Sequence, residues 1–478
     1  MNNKSKKLFN NTILFLIGSL GSKFIQFILV PIYTYTLTAS EYGTTEIVLT
    51  FINFLLPIFS ISIADGFLRF GLDKKYNCDE ITAICLKINF IGSIISVMCI
   101  PLYRINYTLS QYMFYFIIIL NLRIYRDDLS IRLKILDKNK LYAIDSIVYT
   151  LILCISNILL LVILKMKIEG YFISYIIANC FSIIFLLFFS EFHIQMLFRK
   201  NNKELAFKIF KYSLPMIVNG IAWWITNASD KFMIQYLVND EAVGIYSISA
   251  KLPTLVSTFT GVFNQAWIIS SVIEFDNDKE KKFYSGIFQK YICFLFLCTS
   301  ILILFIKPFI KVYVSDSYTE AWKYAPILIS SATMSGIASF MVGIYAASMK
   351  NKNVTITTII GGITNIVLNY IFIKKIGIMG SAVSTFISWG IVAMLRMLDV
   401  KSFFDFNMNI NKIIIYTILI IFESFIMVYI NNLFSNFVCF IICCIFIILE
   451  KENVVYFINL MMNKIGGEIK NAKIKKNL

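Results

Sequence analysis

Leu37-Thr-Ala-Ser-Glu-Tyr-Gly43 and Val238-Asn-Asp-Glu-Ala-Val-Gly244 lie 201 residues apart, each ending on glycine and each standing between two long apolar runs. The first separates the runs near 11–36 and 44–66, the second those near 212–237 and 242–270. Equivalent turns at a fixed offset mark an internal repeat. Two more matches keep the same order. Lys138-Asn-Lys140 falls on Lys350-Asn-Lys352 at an offset of 212, which carries Asn157 onto Asn369, and Ile168-Glu-Gly170 falls on Ile378-Met-Gly380 at 210.

Around these turns the chain is too apolar for water. It is 58% hydrophobic and 15% charged over 478 residues, with mean hydropathy +0.75, more apolar surface than a soluble domain buries. Counting about 20 apolar residues per span places segments near 11–36, 44–66, 81–103, 109–125, 142–164, 169–190, 212–237, 242–270, 285–306, 322–348, 353–373, 378–398, 411–430 and 433–450. The first follows Lys4, Lys6 and Lys7 but is longer than the apolar core of a signal peptide and lacks a small-residue cleavage site, so it reads as a retained span. The expected fold is an all-α polytopic membrane protein of about 14 transmembrane helices. Segments 1 to 6 repeat as 7 to 12, and because six is even both copies start on the same side. This predicts two parallel six-helix lobes, 1–200 and 201–402, and an addition over 403–478 of two further helices and a basic tail.

The formal charge of +16 raises nucleic acid as a partner, but its placement points to topology. With a cytoplasmic N-terminus, one side collects Arg123, Arg126, Arg132, Lys134, Lys138 and Lys140 after segment 4, and Arg199, Lys200, Lys203, Lys208 and Lys211 after segment 6. Lys279, Lys281 and Lys282, then Lys350 and Lys352, and the tail lysines Lys464, Lys470, Lys473, Lys475 and Lys476 continue the pattern. That asymmetry is the positive-inside rule, and it predicts an inner (cytoplasmic) membrane protein with both termini cytoplasmic, lipid around it and no nucleic acid. No connection is long enough for a soluble catalytic domain, so neither an enzyme nor a cofactor is expected. The ten cysteines are scattered without disulfide or zinc spacing and read as small apolar side chains. His193, the only histidine, reads as an interfacial group.

Polar residues recur on single faces of four segments. Segment 8 places Ser247, Lys251, Thr254, Thr258, Gly261 and Gln265 at alternating steps of four and three, one helical face. The offset of 201 carries these six onto Glu46, Thr50, Asn53, Pro57, Ser60 and Ala64 of segment 2. Segment 7 adds Asn219, Trp223, Thr226 and Asp230 beside Lys231, and segment 1 adds Ser19, Ser22 and Gln26 beside Lys23. An ionisable group at mid-bilayer costs roughly 2.5 to 3.5 kcal/mol on insertion scales, so Lys23, Lys251, Asp230 and Lys231 call for a wet cavity or for partners. The plainer reading makes the Ser and Thr hydroxyls glue between helices and lets the lysines snorkel to the interface. Asp65 and Arg69, four apart at the end of segment 2, form an intrahelical ion pair or a lock that closes the cavity. Glu423 in segment 13 lies outside the repeat, where a pairing or oligomer contact is as good a reading as a transport role.

Asn11-Thr-Ile-Leu, Phe27-Ile-Leu-Val-Pro-Ile-Tyr33-Thr34, Glu41-Tyr-Gly43 and Phe67-Leu-Arg-Phe70 together resemble the opening of the polysaccharide transporters of the multidrug/oligosaccharidyl-lipid/polysaccharide exporter superfamily, which include O-antigen and capsule-repeat flippases. The resemblance is sharp over the first seventy residues and extends over the rest in segment number and lobe order. It implies a V-shaped pair of bundles that flips undecaprenyl-diphosphate-linked oligosaccharide to the outer leaflet by alternating access, with polysaccharide polymerase and glycosyltransferases as partners. Cationic cavity residues bind the diphosphate in such flippases; Lys23 and Lys251 are the residues of that kind here. The candidate cavity set is Lys23, Gln26, Glu46, Asn53, Asp230, Lys231, Lys251, Thr254, Thr258 and Gln265. The rival within the superfamily, a cation-coupled drug or metabolite antiporter, resembles the chain in lobe count, but typically has an acidic site in the N-terminal lobe; segment 1 has Lys23 and no Asp or Glu. A membrane-embedded polymerase or acyltransferase calls for a substantial outer loop or a buried catalytic His or acid, and the sequence displays neither.

Overall fold

The computed structural model describes residues 3–73, 75–104, 106–198, 202–273, 280–430 and 433–455, and among them the regular structure is helical. The tail lysines, Arg199, Lys200 and Lys279 lie outside the described residues. Helix α1 (Asn3–Thr36) is followed after two residues by α2 (Ala39–Phe59). Thr38 starts α2 through a capping box, its hydroxyl accepting from the Glu41 amide at 3.2 Å while the Glu41 carboxylate accepts from the Thr38 amide at 2.8 Å. Pro57 lies in its last turn, where it has no amide to donate to the Asn53 carbonyl. Ile61 (φ 52°) and Ser62 (φ 47°) then turn the chain in the left-handed region into α3 (Ile63–Gly71).

Asn77 caps α4 (Cys78–Met98), with Asp79 and Glu80 in its first turn. Short helices α5 (Ile100–Tyr103) and α6 (Tyr107–Gln111) lead to α7 (Met113–Ile135). Next come α8 (Asn139–Asn157), prolonged by a π-helical turn over Ile158–Ile163, and α9 (Lys167–Phe189). The second copy opens with α10 (Lys203–Leu237), capped by Asn202, then α11 (Asp240–Ser249) and α12 (Pro253–Ile273). The remainder is α13 (Glu280–Leu304), α14 (Ile306–Tyr313), α15 (Ala321–Ala347), α16 (Asn351–Ile376), α17 (Ile378–Phe403), α18 (Ile410–Tyr429) and α19 (Leu433–Leu449). Every apolar segment read from the sequence overlaps one of these helices or a broken pair. Nine of the described helices are long and apolar enough to cross a membrane, which makes the chain a multi-pass membrane protein.

Packing divides the chain into two compact units. One comprises Met1–Ile248, Lys311–Thr319 and Ile366–Ser381; the other comprises Ser249–Ile310, Glu320–Asn365 and Ala382–Leu478. These units differ from the lobes 1–200 and 201–402 because a repeat tells which segments correspond, whereas packing tells which share a core: α10 opens the second copy yet packs on α2 and α3 in the first unit. There Ile63 and Phe67 of α3, Ile81 and Ile84 of α4, and Leu205 and Ile209 of α10 form one buried cluster. In the second unit Trp267 of α12 stacks on Phe340 of α15 with ring centroids 4.3 Å apart and donates to the Phe340 carbonyl at 2.8 Å.

The two turns that reveal the repeat meet each other inside the first unit. A Cβ added to Gly43 would come within 1.8 Å of the Asp240 carbonyl oxygen, and one added to Gly244 within 2.0 Å of the Ala39 carbonyl oxygen. Asp240 is the residue 201 positions after Ala39, so the contact is reciprocal, as a twofold relation between the two turns requires. Both glycines are needed because the backbones touch there.

α7 departs from the sequence reading. Segment 4 was expected to end near residue 125 with its cations in a cytoplasmic connection, but the helix runs on to Ile135 and carries Arg123, Arg126 and Arg132 within it. Arg132 is 1% exposed: its guanidinium donates to the Ser190 carbonyl at 2.8 Å and to Thr82 at 2.6 Å, and pairs with Asp79 at 2.7 Å. No Gly or Pro interrupts the chain between Gln111 and Lys138, so helix formation continues wherever neighbouring helices supply acceptors.

Candidate functional site

α2 carries the first polar stripe, and its two ends take different partners within the first unit. Glu46 is buried. The Tyr42 hydroxyl, one turn back, donates to its Oε1 at 2.6 Å, and Lys231 of α10 forms an ion pair with its Oε2. Asp230, beside Lys231, accepts from the Tyr246 hydroxyl of α11 at 2.6 Å and from Asn369 Nδ2 of α16 at 2.7 Å. Asn157, which the 212 offset aligns with Asn369, donates to the Tyr33 hydroxyl of α1 at 3.1 Å. Equivalent asparagines thus tie the opening helix of each copy, α1 or α10. The acid pair and the lysine that the sequence put in a cavity are here brought together and satisfied.

Two turns along α2, Asn53 Oδ1 accepts from Arg123 Nη1 of α7 at 2.7 Å, in exposed surroundings. Arg123 stands near the middle of α7 and makes no ion pair among the described residues. Arg126, one turn on, is engaged: it pairs with Asp145 of α8 at 3.1 Å, donates to Ser182 of α9 at 2.6 Å and lies 3.8 Å from the Tyr149 ring centroid. An arginine whose fork is not closed by a carboxylate can take two oxygens of an anion at once. The reading from sequence missed Arg123 and Arg126 because they were placed in a connection; the uninterrupted run to Asp137 was the available signal.

The remaining candidates are not brought to these clusters. Lys23 and Gln26 are exposed on α1, and the side chains of Ser19, Trp223 and Thr226 lie outside the described residues. Lys251, Thr254, Thr258 and Gln265 belong to the second unit. Their stripe is not one helical face, since the helix breaks over Ala250–Leu252 before Pro253 starts α12. Half-buried Lys251 stands in that break, with the Thr254 hydroxyl bonded to its carbonyl. Thr254 and Gln265 are exposed. Asp65 and Arg69 are both exposed on α3 and make no ion pair among the described residues, so the intrahelical pair is not formed. His193 is exposed, and no cluster of metal-ligating side chains occurs among the described residues. At the helix ends, Lys138 bonds to Glu191 and holds that carboxyl below its usual range.

A second buried arginine also escaped the sequence reading. Arg396 of α17, 4% exposed, donates to the Ala338 carbonyl at 2.9 Å, to Thr357 at 3.0 Å and to Thr358 at 2.9 Å, tying α15 and α16 to its own helix.

The polysaccharide biosynthesis protein family model matches residues 8–271. Protein 1 of the Lsg locus of Haemophilus influenzae is 25% identical over 401 residues, covering 78% of this chain and 95% of that protein. Among solved structures, the lipid II flippase MurJ in an inward closed conformation superposes with a TM-score of 0.67 at 16% identity, covering 96% of this chain and 99% of that one. An inward-facing multidrug resistance MATE family transporter of the MOP superfamily gives 0.65 at 11% identity over 82% of this chain and 94% of its own. A MOP superfamily transporter from Pyrococcus furiosus gives 0.59 at 12%, covering 83% and 95%. The fold is therefore the one these flippase and transporter structures share.

Proposed function

The chain belongs to the polysaccharide biosynthesis protein family, and on that premise we propose that it flips undecaprenyl-diphosphate-linked oligosaccharide repeat units across the cytoplasmic membrane by alternating access, for O-antigen or capsule assembly. The observation that carries this reading is Arg123, a cation near the middle of a helix, held by the neutral Asn53 and open to its surroundings. A diphosphate needs fixed cations in a low dielectric, and sugar hydroxyls need Ser, Thr, Asn and Gln at close range. Lys23 on α1 and Lys251 in the break between α11 and α12 are the further cations assigned to the cargo, with Gln26, Thr254, Thr258 and Gln265 as sugar contacts. In this reading both termini face the cytoplasm, the lobes are 1–200 and 201–402 with 403–478 added, and glycosyltransferases and a polymerase work before and after the chain. The structurally similar MurJ is a lipid II flippase, which supports a cargo of that class.

Replacing Arg123 or Lys251 by Ala removes one charge-assisted contact, worth roughly 1.5 to 3 kcal/mol, so surface-polymer output at equal membrane expression drops about tenfold or more. Unchanged output in both variants overturns the assignment. The antiporter reading draws on the MATE likeness; in that case the variants change drug or metabolite resistance and leave the surface polymer intact.

A further inference from the structure

α4 and α7 are joined by an antiparallel ladder of polar side chains. From one end to the other Thr82 meets Arg132 at 2.6 Å, Asn89 meets Asp128 at 2.6 Å, Ser93 meets Tyr125 at 3.2 Å, and Ser96 meets Asn121 at 3.2 Å. At the far end the Tyr103 hydroxyl donates to the Ser96 carbonyl at 3.0 Å. Most rungs pair neutral groups or an arginine with its acid. The exception is Asp128, 1% exposed, whose hydrogen bond comes from the neutral Nδ2 of a wholly buried Asn89.

The charged and titratable neighbours leave Asp128 without a cation. On its own helix Arg126 is engaged with Asp145 of α8, Arg132 points to Asp79 of α4, and Asp127 adds a like charge. From α4 the facing group is the buried thiol of Cys85, and α3 offers Asp65 and Arg69, both exposed. An ionised carboxylate so placed is shut off from bulk solvent and has no counter-ion among the described residues. The second observation is on the partner: Asn89 Oδ1 is buried and has no hydrogen-bond donor among the described residues. A carboxylic acid carries the donor this oxygen lacks. With a proton on the second carboxyl oxygen, acid and amide each donate once and accept once, and both buried groups are satisfied.

We propose that Asp128 and Asn89 form a proton-binding site, occupied while α4 and α7 are packed as here, and that releasing the proton is linked to parting this helix pair during transport. The ligand is a proton from water. The hydroxyls of Ser93, Tyr125, Ser96 and Tyr103 lead from the site toward the Met98 end of α4, whereas toward the Cys78 end the ladder passes buried Cys85 and the Arg132 guanidinium. The exchange route therefore runs through the Met98 end.

The existence of the site is tested without substrate, so its failure is separate from failure of the flippase reading, on which only the transport link rests. Infrared difference spectra of the purified protein in lipid nanodiscs are recorded through a pH series. The wild type is expected to show a protonated-carboxyl band at neutral pH that Asp128→Asn removes. Asn89→Leu is expected to retain the band at a shifted frequency, because its hydrogen-bond partner is gone. A spectrum in which Asp128→Asn removes no carboxyl band, or in which Asn89→Leu leaves the band unshifted, overturns the site. In proteoliposomes loaded with lipid-linked oligosaccharide, flipping by the wild type depends on pH and flipping by Asp128→Asn does not; a wild-type pH profile in the variant overturns the link to transport.

Discussion

Glu46 and Ser247 hold the same place in the two copies of the repeat, 201 residues apart and both buried, yet they do opposite things. Glu46 gathers Tyr42 and Lys231 around a charge; the Ser247 hydroxyl makes no hydrogen bond among the described residues. The helices around them differ in the same sense. α2 runs unbroken from Ala39 through Asn53 to Phe59, while its counterpart stops at Ser249 and resumes at Pro253, the residue that stands where Ile52 does. A proline lacks the amide that would continue the ladder and disfavours helix in the residue before it. At this place the two copies agree in burial and differ in chemistry. The first copy stores its charge in a closed pair, and the second places a lysine, Lys251, in a break.

The comparison breaks most visibly at Glu46. Glu46→Leu leaves the Lys231 ammonium half-buried beside a hydrocarbon, and removing one partner of a buried pair costs about 3 to 5 kcal/mol. Since Lys231 retains some exposure, the loss of thermal stability in detergent should fall at the lower end, and Glu46→Leu with Lys231→Leu together should recover most of it. A single variant as stable as the wild type shows that the pair holds nothing. Next in size are Gly43→Ala and Gly244→Ala, each driving a methyl into a carbonyl of the other turn, for about 1 to 3 kcal/mol. The two losses should be nearly equal, since the contact is reciprocal; a strong inequality would deny the twofold relation. Ser247→Ala, which removes a hydroxyl without a partner, should stay within about 0.5 kcal/mol, and a larger loss would mean that the second copy has a bond there after all.

Much of this was readable before any coordinates. The apolar segments and the equivalence of the two turns follow from hydropathy and an offset, and one candidate cavity set held both Glu46 and Lys231; that these two pair with each other is seen only in the fold. The extent of α7 did not follow, because counting apolar residues ends a span at its first charges, and the partners that make Arg126 and Arg132 tolerable, Asp145, Ser182, Asp79 and the Ser190 carbonyl, come from helices whose neighbours only the fold decides. The break in the second copy was foreshadowed by Pro253. The turn at Ile61 and Ser62 was not, since two residues with side chains adopt a backbone that a reader assigns to glycine. The continuous stripe from Ser247 to Gln265 failed for a related reason: period alone assumes one unbroken helix.

The glycine contact between the turns bears on how such a chain can arise. A reciprocal contact needs only one patch, because the same surface serves both sides. A chain of half this length, carrying a single copy of the Ala39-to-Gly43 segment, would already present at this turn a surface complementary to itself. Gene fusion would then need no new contact at this turn. It would only tether two molecules that met there, freeing Glu46 and Ser247 to go separate ways.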